Sequence, residues 1–500
     1  MKPTSRLALP ISALCAAAVF GVGVAAAAYT AGPAVDISPT VDPFAACTAD
    51  NVTQQETFDT LYPLTEPEPR AAINPTNSLN IVAAYHEDRW AGGGDRGLVS
   101  STTSDGGLTW SQAVIPGITK CSGGSFDRAS DPWVTFDPNG KLYGIWLVFD
   151  VFDSHNGVLV STSGNGGVSW SRPTPVLVDN TGGDDKESIT ADPYHPGEVY
   201  AVWDRFLSPP GSGANDHGRF HAKSFVQQTW FSRTTDSGAS WEPARVAYDP
   251  GTQSFTIGNI VSVLPNHTYD LVDGFIQGNQ QGGKLRSESV SVISSPDQGL
   301  TWSKKATPIA PLDITYPGPF DPDNGNPIRS GGLPDFAVDS NSGTMYAVWE
   351  DDVPTPGIDA IQFSQSTDGG RSWSTPVKIN QTPTNIPPPD QQAFTPTIKV
   401  ASDGTVGVTY YDLRNNTPAS GLPTDEWFVH CNAACTNTSS WTETHVAGPS
   451  DLEQAPFAGG YFFGDYEGLV TNGTSFGSIF DQSTGAASNP TDVYYAPIAP

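Results

Sequence analysis

Short runs of alternating apolar and polar residues, broken by Gly, Pro and Asp, fill the chain from about residue 68 to its end. Alternation with a period of two marks half-buried strands, and no stretch keeps a helical period. One cycle recurs. It opens on a strand such as Arg70-Ala71-Ala72-Ile73 or Pro132-Trp133-Val134-Thr135-Phe136. A second strand follows and ends in an aromatic, as in Val199-Tyr200-Ala201-Val202-Trp203. A polar loop, a third strand, a tight turn and a fourth strand complete the cycle. Strand starts near Arg70, Pro132, Ser188, Gly258, Pro334, Pro396 and Tyr466 give seven such units, the last stopping after its third strand. The alternating segment Asn51 to Thr60 is expected to supply the missing outer strand, closing a ring and removing an exposed edge. The expected fold is all-β: a seven-bladed β-propeller of four-stranded antiparallel blades over residues 50–500, behind a flexible lead-in at 29–49. Six blades is the alternative, if one unit is an embellishment.

The turn between third and fourth strands has its own signature. It reads S-T-D-G-G-R-S-W from Ser366 to Trp373, and related copies end at Trp110, Trp170, Trp241 and Trp302. A degraded copy ends at Trp441, with Asn437 in place of Asp. The spacing is roughly 60 to 70 residues, the period of a repeat architecture. Asp105, Asp236, Asp297 and Asp368 can accept hydrogen bonds from the amides that follow them. The glycine two residues on can take positive φ, and Trp supplies an apolar plate to bury. The pattern resembles the Asp-box of the sialidase superfamily and of other secreted β-propellers. That resemblance implies a propeller in which these turns are structural staples, away from any active site.

Composition narrows the setting. Lys2 and Arg6 precede an apolar run ending in Ala26-Ala27-Ala28, the form of a secretory signal peptide over residues 1–28. No other stretch is long and apolar enough to span a membrane. The net charge is −29, which argues against nucleic acid or an anionic membrane as partner. Cys47, Cys121, Cys431 and Cys435 remain after the signal, and four cysteines in an exported chain suggest two disulfides. Three pairings are open. In one of them, Cys431–Cys435 clips a short turn and Cys47–Cys121 ties the N-terminus to the first repeat. A zinc site is the competing reading.

Chemistry is expected on the face opposite the repeated turns. Second strands end there in carboxylates: Glu87 and Asp88, Asp150, Asp204, Glu350 and Asp351, Asp412, and Asp481. Acids also precede the inner strands, including Glu68, Asp131, Asp185, Glu187, Asp335 and Asp465. Such a ring can cap a repeat, hold a cation or supply a general acid. Most arginines fall on the same loops, and their forks match carboxylates.

Sialidases hold a sugar carboxylate with three arginines. A Tyr assisted by Glu attacks the sugar, and an Asp serves as acid/base. By resemblance, Arg70 stands where the first arginine motif (R-I-P) would be, though this chain reads R-A-A. Asp88 or Asp95 stands in the acid loop, and Glu187 would partner the nucleophile. Arg286 and Arg329 would complete the arginine group, and Tyr411 or Tyr466 would be the nucleophile. The implied function is a secreted, monomeric, sialidase-like exo-glycosidase acting on an anionic glycan through an Arg-rich central pocket. It predicts Arg70, Glu187, Arg329 and a Tyr converging on a space fit for a sugar ring. The alternatives are a polysaccharide lyase, or a non-catalytic propeller binding glycan, protein or calcium.

No cofactor is required by this reading. Calcium is an optional ion, because Asp321 and Asp323 begin a run of oxygen ligands at alternate positions. That run lacks the later Glu of a calcium loop and also reads as a plain turn. His217 and His221, in the longest second-to-third-strand loop, could bind metal or move protons, but the stretch reads first as an exposed polar loop.

Overall fold

The computed structural model describes residues 28–207, 226–265, 271–282, 284–315 and 318–500. Residues 1–27 of the expected signal peptide and the His217–His221 loop lie outside them. The chain is all-β, built of four-stranded antiparallel sheets. In the first sheet Arg70–Ile73 pairs with Ile81–Trp90, then Asp95–Thr103, then Ser111–Val114. The same in-to-out order recurs in sheets whose inner strands are Arg128–Phe136, Gly183–Ala191, Ser254–Val263, Asp335–Val338 and Ala393–Val400. A further sheet runs from Gly468–Asn472 through Ser475–Ala486 to Asn489–Ala499. Inner strands neighbour one another in chain order, and Gly468–Asn472 comes back against Arg70–Ile73. This is a propeller arrangement, with sheets set radially about one axis.

Apolar side chains on the two faces of each sheet hold adjacent sheets together. Val348 and Phe363 of one sheet pack with Ile398, Val408 and Trp441 of the next. Ile145 and Val158 likewise pack with Ile189 and Trp203. Each strand is buried on both sides near the axis, which explains the near-continuous apolar runs in the second strands.

The repeated turns close as their residues dictate. Asp368 Oδ1 accepts from Ser366 Oγ (2.9 Å) and from the Ser372 amide (2.9 Å), and Oδ2 accepts from Ser372 Oγ (2.6 Å). Gly370, at φ 80°, donates its amide to Ser366 Oγ at 2.9 Å. Hydrogen bonds from the following Ser or Thr hold Asp105, Asp236 and Asp368 below the usual carboxylate range. At Trp441 the degraded copy is clipped instead by the Cys431–Cys435 disulfide, and the Trp441 indole donates to the Cys435 carbonyl (2.9 Å).

The ring closes with different residues from those expected. Thr30–Ala31 pairs with the C-terminal strand (Thr30↔Ala499), and Val35–Asp36 pairs further along it. Part of the segment read as a flexible lead-in is therefore the closing strand. Tyr29 explains the choice. Its ring is buried against Phe428 and Phe476, and its hydroxyl donates to the Thr474 carbonyl (2.7 Å). The polar segment 51–60 has no such anchor. It contains the short helix Val52–Gln55, whose buried Gln55 accepts from Arg128 Nε (2.7 Å). The Cys47–Cys121 disulfide fixes the N-terminal strap, residues 37–60, to the first repeat.

Candidate active site

Inner strands carry the site because their starts are bulged. Register slips between Ser130 and Trp133, Asp185 and Ser188, Ile257 and Ile260, and Phe394 and Thr397. The extra residues Asp131, Lys186, Gly258 and Thr395 sit at φ 50°, 45°, 77° and 52°. A bulge re-aims the neighbouring side chains. Here it gathers charged groups at the mouth of the axis.

Second-strand carboxylates hold some of these bulges. Asp204 accepts from the Gly258 amide (2.9 Å) and Asn259 Nδ2 (2.6 Å), and Glu350 accepts from the Thr395 amide (2.8 Å). For these two acids the repeat-wide capping role is the one observed.

At the mouth, cations and acids interlock. Lys186 Nζ lies 2.7 Å from Asp465, 3.1 Å from Glu68 and 3.4 Å from Asp131. His86 is fully buried, with Nδ1 2.7 Å from Asp95 and Nε2 2.7 Å from Glu68. Burial opposes its charge, but Asp95 and Glu68 outweigh burial and push its pKa up to about 9. The Asp131 amide also lies 3.1 Å from Nε2, which cannot accept while protonated. Two carboxylates in direct contact decide for the imidazolium. Burial likewise opposes the charge of Glu68, yet Lys186 and then His86 hold it well below the usual range.

Arg70, Trp133, Glu187, Asp335, Asp465 and Tyr466 line one cavity at this mouth. Its free volume is about 20 Å³, room for a water rather than a sugar ring. Glu187 is buried, and neither carboxylate oxygen has a hydrogen-bond partner. Burial and then Asp131 push its pKa well above the ordinary glutamate value. Asp465 behaves in the opposite way: despite burial, Arg329 and then Lys186 keep it low. Asp335 is also kept low against burial, by Arg70 and then Lys399.

The expected site residues divide. Arg70 and Glu187 reach the cavity with Tyr466, and Arg329 adjoins it through Asp465. Arg70 Nη2 pairs with Asp335 (2.9 Å), and its guanidinium lies over the Trp133 ring. Arg329 makes a two-point pair with Asp465 (3.0 and 2.7 Å). Both guanidiniums are thus already engaged by acids. The Tyr466 hydroxyl donates to the Pro132 carbonyl at 3.4 Å.

The other candidates lie elsewhere. Asp95 stands behind His86. Asp88 accepts from the Leu64 amide (2.9 Å) and faces Arg96 (3.3 Å). Tyr411 is sealed between sheets, its hydroxyl clasped by the Asp481 carbonyl and amide (both 2.9 Å). Arg286 is exposed on the Leu271–Gln281/Lys284–Ser295 hairpin. Asp321 uses Oδ1 on the Asp323 amide (2.8 Å) in a tight turn, and Asp323 Oδ2 accepts from Asn416 (3.1 Å).

Sequence reasoning missed His86 and Lys186. Neither belongs to a motif. The available signal was Asp184-Asp185-Lys186-Glu187, a lysine inside an acid run at a strand start.

Fold and site together define an all-β propeller with a charged, acid-rich axial mouth. No family model matches the chain, and no curated protein matches it. Solved structures similar to it include sialidases and α-L-arabinanases. An uncharacterised protein of Dyadobacter fermentans is 15% identical over 74% of this chain and 94% of its own, with a TM-score of 0.45. An α-L-arabinofuranosidase of Fusarium graminearum is 13% identical over 74% and 92%, at 0.44. A Hadza microbial sialidase is 14% identical over 84% and 74%, at 0.45. These are likenesses of overall shape.

Proposed function

We propose that the chain is a secreted, carbohydrate-active glycoside hydrolase on a seven-bladed propeller, cleaving a glycan at the axial mouth. The observation that supports it is the meeting of Arg70 and Glu187, from two different sheets, with Asp465 and Tyr466, from the loop before Gly468–Asn472, around one cavity. Two carboxylates there are pushed in opposite directions, which is how glycosidases separate acid from base roles. Glu187, kept protonated, gives its proton to the departing glycosidic oxygen. Asp465, kept ionised, stabilises the positive charge that grows on the sugar. Water adds to the sugar carbon and returns a proton to Glu187. In the sialidase-like variant, Tyr466 is the nucleophile and Glu187, once ionised, takes its proton; the raised Glu187 pKa moves that variant to higher pH. Burial and then Glu68 raise the Tyr466 pKa, so the phenol needs that base. With both arginines already paired and acids in excess, the charge balance favours an uncharged sugar over an acidic one.

A second reading, a non-catalytic glycan- or protein-binding propeller, is favoured by the small free volume and the occupied guanidiniums. The deciding experiment is a screen of the purified protein on neutral nitrophenyl glycosides, arabino-oligosaccharides, sialosides and uronic-acid glycans. Turnover that falls about 1,000-fold or more in Glu187→Gln, with unchanged melting, supports the hydrolase. Full activity in that variant sinks the assignment of Glu187. A silent panel with saturable glycan binding establishes the second reading.

A further inference from the structure

We propose that Asp42, Glu87 and Asp88, backed by Glu66, form a calcium site that clamps the N-terminal strap onto the first sheet. The site is separate from the axial mouth. Glu87 follows His86 on the strand Ile81–Trp90, and successive residues of a strand face opposite ways. His86 meets Glu68 and Asp95, whereas Glu87 meets Asp42 and Asp88. Asp88 sits at φ 64°, and the pairing passes from Glu87↔Gly97 directly to Arg89↔Asp95. That irregularity brings two consecutive carboxylates to one side.

One oxygen each from Asp42, Glu87 and Asp88 lie within 4.8 Å of one another. This is the span across a cation with bonds of about 2.4 Å. Glu66, Glu87 and Asp88 are all fully buried. No N–H or O–H donor reaches either oxygen of Glu87 or of Glu66; the two carboxyls face each other instead, and Asp492 faces Glu66. Burial and then the neighbouring acids, Glu66 against Glu87 and Glu87 against Asp88, disfavour ionisation of both. The cation facing the group is Arg96, 3.3 Å from Asp88 Oδ2, and its Nε is engaged by Asp50 at 2.6 Å. One shared guanidinium does not balance four buried or half-buried carboxylates.

A proton shared between Glu66 and Glu87 would remove one charge. A divalent ion removes two and gives the orphaned oxygens a partner. The donors are all oxygen, with no His or Cys ligand, which selects a hard cation. Calcium tolerates irregular carboxylate sets of six to eight oxygens, and the Glu87 carboxylate is free to bind through both of its own. Asp42 has one oxygen on the Phe44 amide (2.6 Å) and the other available. The ion would join Asp42 of the strap to a central strand of the first sheet, close to where Cys47–Cys121 makes the covalent tie.

The test uses the whole protein, stripped with EDTA, desalted and titrated with calcium chloride. Thermal melting and bound calcium by atomic absorption are read together. One calcium per chain is expected, with melting raised by about 3 °C at calcium 100-fold above its Kd. Asp42→Asn, a change on the strap, removes both effects, and Glu87→Gln does the same. Asp321→Asn leaves them intact. Absence of bound calcium and of a melting shift in the unaltered protein overturns the site. So does an undiminished response in Asp42→Asn and Glu87→Gln. Calcium-independent stability that rises as pH falls, unchanged by Asp42→Asn, would assign the cluster to a shared proton and also overturn it.

Discussion

His86→Gln tests the electrostatic account of the axial mouth. The imidazole is buried between Asp95 and Glu68, at 2.7 Å from each, and its pKa stands near 9 against an ordinary 6.5. A group raised in the folded state keeps its proton there after the unfolded chain has released it. Its contribution to stability is whole below about 6.5 and is lost as pH rises through about 9. The gap of about 2.5 units is worth about 3 kcal/mol, falling by about 1.4 kcal/mol per pH unit inside the window. Urea unfolding followed by tryptophan fluorescence, at pH values from 7 to 10, gives the difference between native and variant protein. Most other groups titrate in both and cancel. Glu68 and Asp95 lose a cation in the variant and gain protons at acid pH, so the comparison starts at pH 7. The native advantage should shrink steadily and level off above pH 9. A difference constant to within about 0.5 kcal/mol across that range would show that His86 is not held as an imidazolium.

Four further outcomes follow from the fold. Gly107→Ala should cost about 2 to 4 kcal/mol, because φ is 99° and a Cβ would meet Tyr495 Cε1 at 2.2 Å. Gly123→Ala, at φ 82° with nothing within 4 Å, should cost only about 1 kcal/mol by the same unfolding assay. Tyr29→Ala should cost about 3 kcal/mol and expose the edge of Asn489–Ala499, read as lower melting and concentration-dependent light scattering. Replacing Cys47 and Cys121 together by Ser opens a tie across 74 residues and should cost about 4 kcal/mol in chemical denaturation.

Much of the architecture was legible because its determinants are local. Period-two alternation specifies strands, and the Asp, Gly and Trp of each turn specify its closure within eight residues. Counting the repeats then gave the order of the sheets. The closing strand was misjudged because edge pairing depends on what the edge residue buries. Tyr29 finds Phe428 and Phe476 only after the ring has formed, and these partners lie some 400 residues away in the chain.

The sequence alone therefore determined the repeated sheet and its stapled turns. Tertiary structure decided which charges meet. Lys186 is one lysine in an acid run until its own bulge, the bulge at Asp131 and the loops before Arg70 and Gly468 bring Glu68, Asp131 and Asp465 around it. Arg70 and Arg329 looked free for a ligand until Asp335 and Asp465 were found on them. Backbone turns are set by neighbours in the chain. Ion pairs and pKa values are set by neighbours in space, and in a closed ring those neighbours come from sheets far apart in sequence.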